Sequence, residues 1–166
     1  MSTIELHEAL EVGADVVAGY KPRDRYGIRA HHSATHLLHD ALRNILGSHV
    51  QQAGSLVTRD RLRFDYSHFE APSTEAISSV ESEVNDVIQA GHEVVTEVLP
   101  FDEAKAKGAL ALFGEKYGDI VRVVTMGPSI EFCGGTHTKT TREIELCLVS
   151  RDEAIASGVR RIEAEV

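Results

Sequence analysis

The sequence predicts an α+β domain: a mixed or antiparallel sheet with helices packed on one side. Two long stretches repeat apolar residues at three- and four-residue spacing, the mark of amphipathic helices. Several short stretches alternate apolar with polar residues, as half-buried strands do. The two kinds interleave without the strand-helix-strand rhythm of a doubly wound parallel sheet, and several strands have one polar face. With 42% hydrophobic and 26% charged residues in 166, the chain can bury a core and is not collagen-like, low-complexity or disordered.

Taken in order, Met1 to about Arg29 holds Gly13, Gly19, Pro22 and Gly27 between short apolar pieces such as Val16-Val17. A small strand and a loop are expected there, so that residues 1–30 form a minor N-terminal segment and residues 31–166 the main domain. From His31 to Leu46, Ala34, Leu37, Leu38, Ala41, Leu42 and Ile45 make a helical stripe, with Gly47 placed for a left-handed cap. Leu62, Phe64 and Tyr66 alternate with Arg61, Arg63 and Asp65, a strand pattern. Ser73 is the expected N-cap of a second helix striped by Ile77, Val80, Val84, Val87 and Ile88 and stopped by Gly91. Further strands are expected at Glu93–Leu99, Asp119–Met126, Glu143–Ser150 and Val159–Val166, with short helices at Asp102–Lys107 and Asp152–Ser157. Within Glu143–Ser150, Ile144, Leu146 and Leu148 share one face. The stretch Gly108–Lys116 has the outline of a phosphate loop, but Tyr117 stands where Ser or Thr is required and its middle is apolar, so it reads as core.

Charge narrows the partners. Lys and Arg number 17 against 26 Asp and Glu, a formal net charge of −9. Such a field repels a polyanion, so nucleic-acid binding requires an attached domain or a very local basic patch. Trp is absent and aromatics are 5%, too few for a base-stacking platform. Two cysteines, Cys133 and Cys147, cannot make the framework of a small secreted domain, and Cys147 is read as structural. No apolar run approaches the roughly 20 residues of a membrane span, and Met1–Leu10 lacks the pattern of a secretory signal. A cytoplasmic setting and no membrane partner are expected.

Two pairs carry the chemistry: His32-Ser33-Ala34-Thr35-His36 and Cys133-Gly134-Gly135-Thr136-His137. Residues four apart on a helix lie one above the other, so His32 and His36 can close on one ion. They project away from the leucine stripe, near His39 and Arg43. Gly134-Gly135 points to a tight turn that brings a thiolate and an imidazole to one point. Together they make a Cys-His₃ set suited to Zn²⁺. Alone, each half has a bland reading, a solvated His pair and an inert thiol; the joint occurrence favours metal. The metalloprotease form is excluded because Ser33, not Glu, follows His32. The H-x-E with P-C-x-x-C arrangement of zinc deaminases is also absent.

The wording of six segments then becomes informative: HSATHLLH at His32–His39, HVQQAGSLV at His49–Val57, DRLRFDYSHFE at Asp60–Glu70, ALFGEKYGD at Ala111–Asp119, CGGTH at Cys133–His137 and GVRRIEA at Gly158–Ala164. In this order they resemble the editing domain of alanyl-tRNA synthetases and its free-standing relatives, from about residue 28 to the end. The resemblance implies the editing-domain fold shared by threonyl and alanyl synthetases. It also implies hydrolysis of tRNA(Ala) wrongly charged with serine or glycine, and zinc held by His32, His36, Cys133 and His137. The synthetase's activation, tRNA-recognition and C-terminal domains have no counterpart here, so aminoacylation is not expected, and the rest of a synthetase is the expected partner. The motif wording favours a domain of a synthetase over a minimal free-standing editor.

Four protein ligands leave two roles open for zinc, catalytic with a loosened or expanded shell, or structural and pocket-shaping. The Gly134-Gly135 turn either offers N–H groups to an oxyanion or only positions its flanking ligands. Serine is larger than alanine, so selection must read its hydroxyl. Gln52, which matches a family position near the zinc, is the first candidate, with Thr35 and Thr136 behind it; a plain loop role for Gln52 is the alternative. Gln52, Cys133 and Thr35 form the expected catalytic set. Arg160 and Arg161 are the expected tRNA contacts, with Arg61 and Arg63 as an alternative face. Two competing functions remain: a non-catalytic structural-zinc module for an RNA end or a protein partner, and threonyl-type editing of Ser-tRNA(Thr). The CGGTH wording argues for the alanine system over the threonine one.

Overall fold

The computed structural model describes residues 11–15, 19, 21–111 and 116–166. The strand and loop expected around Val16-Val17 fall largely outside the described residues, as does the centre of the 108–116 stretch, residues 112–115. Helix α1 runs Pro22–Leu46, nine residues longer at its start than the periodicity predicts. Pro22 occupies the first turn, where its missing N–H costs nothing, and Asp24 sits favourably at the dipole's positive end. Gly27, which reads as a breaker, stays inside the helix because α1 crosses Arg59 there: a Cβ would stand 2.5 Å from the Arg59 carbonyl oxygen.

Ala34, Leu37, Leu38, Ala41 and Leu42 are buried as expected, whereas Ile45 at the end of the stripe is 37% exposed. Gly47 has positive φ but extended ψ, so it is not the left-handed cap predicted, although its N–H still reaches the Arg43 carbonyl. The other side of α1 is buried too, through His31, His36 and His39. Helix α2, Thr74–Ala90, begins with Ser73 Oγ accepting the Ala76 N–H at 3.1 Å. It buries Val80, Val84 and Ile88 and ends on Gly91 in the left-handed region.

Two antiparallel sheets complete the α+β fold. The first is ordered β1-β2-β7-β6, from Gln52–Val57, Leu62–Ser67, Val159–Glu165 and Leu148–Ala156. Its register sets Phe64 beside Ile162 and Leu62 beside Ala164 on one face. That face and the apolar sides of α1 and α2 form the main core with Leu42, Tyr66 and Val84. The second sheet is ordered β3-β4-β5, from Val94–Pro100, Ile120–Met126 and Ser129–Phe132. With α3, Phe101–Ala106, it closes a smaller core around Ala104, Val121, Val123 and Phe132.

Strands β1 and β5 are not predicted by the sequence reading, and two predicted elements are corrected. Of the expected strand Glu143–Ser150 only the end, from Leu148, is strand, where β6 begins; before it come a 3₁₀ turn at Thr141–Ile144 and irregular backbone at 145–147. Glu145 takes φ 71°, which flips the side-chain parity: Ile144 and Cys147 are buried, Leu146 and Leu148 exposed. The segment is strapped to α2 instead, for the Asn85 side chain donates to the Cys147 carbonyl and accepts its N–H, both at 2.8 Å. Glu81 accepts the Val149 N–H at 2.7 Å. The expected helix Asp152–Ser157 is the second half of β6, paired with β7 across the turn at Gly158. Gly158, φ 70°, suits a helix stop and a hairpin turn equally.

Candidate metal centre

α1 supplies His32 and His36, and the loop after β5 supplies Cys133 and His137. Cys133 is fixed because its N–H continues the pairing to β4, donating to the Arg122 carbonyl at 3.1 Å. The Arg122 guanidinium then donates to the carbonyls of Cys133 and Gly135 at 2.6 and 2.8 Å, curling the loop back. Ser33, fully buried in α1, accepts the Thr138 N–H and hydroxyl at 3.1 Å each, pinning the far end. Arg29 closes the clasp, its Nε donating to the His137 carbonyl at 2.6 Å.

The four predicted ligands converge. Cys133 Sγ lies 3.5 Å from His32 Nε2 and 3.6 Å from His137 Nε2, and the two Nε2 atoms of His137 and His36 are 3.2 Å apart. All four ligand atoms lie within 4.8 Å of one another, a group able to hold a metal ion. Gly135 explains the glycine pair, and the reason is space: a Cβ there would come within 2.6 Å of His32 Nδ1, whereas Gly134 has nothing within 4 Å. The Gly135 N–H points to Cys133 Sγ at 3.4 Å.

The electrostatics suit ion capture. Burial pushes the Cys133 thiol up, but hydrogen bonds with His137, His32 and His36 outweigh it and bring the pKa down to about 3. Burial opposes charge on His36, but bonding to Cys133 and Glu131 raises it to about 9. Both shifts favour the thiolate, the form that ligates a cation. For His137 burial dominates and its pKa is lowered. Its Nδ1 is buried with no hydrogen-bond partner among the described residues.

Sequence reasoning missed Glu131. Only 3% exposed on β5, it accepts His36 Nδ1–H at 2.7 Å and His39 Nδ1–H at 2.8 Å. Although burial pushes this carboxyl up, His36 and His39 hold it down at about 2. A carboxylate only accepts, so it sets both rings with the proton on Nδ1 and leaves His36 Nε2 for the cluster. The signal was present in outline: an acid between Ile130 and Phe132 on an apolar strand, opposite two histidines three apart.

The other candidates are placed as follows. Gln52 opens β1 rather than sitting in a loop, and donates to Ser55 Oγ at 3.5 Å. It lines a cavity of about 210 Å³ with His39, Arg43, Gln51 and Leu110. His39 shares Glu131 with His36, so this cavity is one side chain removed from the cluster. Thr35 is buried and donates its hydroxyl to the His31 carbonyl at 2.8 Å, leaving only acceptor capacity. The Thr136 carbonyl lies 3.3 Å from His32 Nδ1.

Arg160 and Arg161 lie on β7 and face carboxylates. Arg160 binds Asp152, which also takes the Tyr66 hydroxyl at 2.7 Å. Arg161 grips Asp65 through two bonds of 2.7 and 2.9 Å. Arg61 and Arg63 face Glu163 and Asp65, each at 3.7 Å. Cys147 is fully buried and its thiol is pushed up to about 12 by burial, in keeping with a structural role. No described helix is long and apolar enough to cross a membrane.

Comparison with known proteins agrees with the motifs. Residues 121–163 match the family model described as the threonyl and alanyl tRNA synthetase second additional domain. The chain is 54% identical over 158 residues to an alanine–tRNA ligase of Pseudomonas entomophila, covering 94% of this chain and 18% of that one. It is 50% identical over all 166 residues to the alanine–tRNA ligase of Campylobacter jejuni subsp. doylei, 20% of whose length is matched. Alanine–tRNA ligase 1 of Lachnoclostridium phytofermentans is 54% identical over 157 residues, covering 94% of this chain and 18% of the relative. The chain thus spans about a fifth of the length of these relatives. These matches place it with editing domains of the alanyl-tRNA synthetase type.

Proposed function

We propose that this domain is an aminoacyl-tRNA deacylase that hydrolyses the ester of serine, and of glycine, on tRNA(Ala), with zinc held by His32, His36, Cys133 and His137. The observation that carries this reading is the convergence of those four side chains from two distant segments. Zinc bonds of about 2.0–2.1 Å to nitrogen and about 2.3 Å to sulfur give tetrahedron edges of roughly 3.3–3.6 Å, and the separations of 3.2, 3.5 and 3.6 Å match them. A thiolate with three imidazoles is a donor set of the right softness. When bound, zinc supplies Lewis acidity to polarise the ester carbonyl.

The chain's own residues orient the site. Glu131 fixes the ring of His36 and that of His39 beside the Gln52 cavity. Arg122, Ser33 and Arg29 hold the loop rigid from three sides. Gln52 is assigned to the serine hydroxyl: its amide can bond it, whereas an alanine methyl leaves the amide unpaired at a cost of about 1–3 kcal/mol. Thr35 and Thr136 are the second candidates for this contact. The relatives at 50–54% identity are alanine–tRNA ligases, which favours tRNA(Ala) over tRNA(Thr).

The test is turnover of Ser-tRNA(Ala) beside Ser-tRNA(Thr) by the zinc-loaded chain, and by Cys133→Ala. Preferred hydrolysis of Ser-tRNA(Ala), reduced at least a hundredfold in the variant and by chelation, is expected. Stoichiometric zinc with no turnover would instead establish a structural-zinc module.

A further inference from the structure

A row of cations leads away from the ligand cluster along α1. Arg25, Arg29, His32 and His36 are spaced four, three and four residues apart, which puts them on one helix face. At 1.5 Å rise per residue the guanidinium row begins about 5 Å from His32 along the axis and reaches about 10 Å. Arg122 approaches the same place from β4. Arg25, Arg29 and Arg122 line a cavity of about 310 Å³ together with Thr136 and His137, so the basic patch opens onto a proposed ligand.

Arg29 and Arg122 differ from many of the arginines elsewhere, and they differ from Arg43 and Arg142, which also donate to backbone carbonyls, in standing beside the ligand cluster. Arg59, Arg61, Arg151, Arg160 and Arg161 face carboxylates. Arg29 and Arg122 spend their bonds on neutral oxygens, the carbonyls of His137, Cys133 and Gly135 and the Thr96 hydroxyl. Their charges are therefore not cancelled by an ion pair among the described residues, in a chain of net charge −9. Both side chains are anchored at one edge, so a ligand at the other edge meets a pre-set fork and little rotamer freedom is lost.

We propose that Arg25, Arg29 and Arg122 form a phosphodiester-binding subsite that holds the RNA backbone immediately behind the aminoacylated 3′-terminal nucleotide. The inference rests on the reading of the cluster as a site for aminoacyl-tRNA, and it assigns the polynucleotide contact to α1 and β4 rather than to β7. Planar guanidinium forks match phosphate oxygens in pairs. Because Arg29 and Arg122 also grip the loop that carries Cys133 and His137, a phosphate bound there steadies the ligand loop itself.

The test is equilibrium binding of a 5′-labelled, uncharged single-stranded RNA ending in CCA to the zinc-loaded chain, followed by fluorescence anisotropy over a range of salt. Arg25→Glu is expected to weaken binding at least tenfold at low salt, and Arg25→Ala less. Both should flatten the slope of log affinity against log salt by about 0.7, the contribution of one single-strand phosphate contact. Arg151→Glu, on β6 and beside Glu153, changes net charge equally and should leave affinity near the unaltered value. Equal losses in the Arg25→Glu and Arg151→Glu variants would show only the bulk field and overturn the proposal. Unaltered binding by both Arg25 variants, or no salt-dependent binding by the unaltered chain, would overturn it too. The RNA carries no aminoacyl ester, so a failure of Ser-tRNA(Ala) hydrolysis leaves this outcome independent.

Discussion

Gly134 and Gly135 are adjacent and look alike in sequence, yet the structure gives them opposite tolerances. A methyl at Gly135 overlaps the His32 ring, and one at Gly134 meets open space. Gly135→Ala is expected to push His32 off the cluster and weaken zinc binding about 10–100-fold, the range for disturbing a ligand's orientation. Gly134→Ala should bind zinc as the unaltered chain does, and competitive titration against a chromophoric chelator checks both. At this scale the ligands were legible because spacing encodes them: four residues on a helix, and a Cys and His flanking glycines. Glu131 was not, since a lone acid on an apolar strand declares itself only once strand and helix are packed together.

Elements were legible where periodicity and end signals agreed. α2 shows this, with Ser73 capping, Val80, Val84 and Ile88 inside and Gly91 stopping. They were lost where a long-range partner overrode the local pattern: Gly27 inside α1 depends on Arg59, and the 143–149 segment follows Asn85 and Glu81 rather than its own alternation. Leu42, with no exposed surface between α1 and the first sheet, should cost about 2–5 kcal/mol on Leu42→Ala, read by urea unfolding of the metal-free chain.

The β2–β7 pairing carries a pH signature. The bonds from Arg161 hold the Asp65 carboxyl below its ordinary 3.8. The folded state therefore gains stability that is present above that value and fades as pH falls through the lower folded-state pKa. Asp65→Asn should be about 1–3 kcal/mol less stable than the unaltered chain at pH 7, with a smaller gap at about pH 3, below the ordinary carboxyl value. Urea unfolding at the two pH values checks it, and a gap that is constant or widens in acid contradicts it.

For the molecule as a whole, the net charge of −9 sets a field that repels nucleic acid in general, and the subsite proposed on α1 and β4 would admit a strand at one place. Composition showed the need for such a patch but not its position, because Arg25 and Arg29 reach Arg122 only through the fold. The same holds for the candidate metal site, whose halves lie about a hundred residues apart and meet because β5 packs its acid against the histidine face of α1. The most direct test of that meeting is X-ray absorption at the zinc edge on the stoichiometrically loaded chain. One sulfur at about 2.3 Å and three nitrogens at about 2.0–2.1 Å are expected, with the sulfur signal gone in Cys133→Ala. A first shell of nitrogen and oxygen alone, or a sulfur signal that persists in the variant, would contradict a single ion shared by all four side chains.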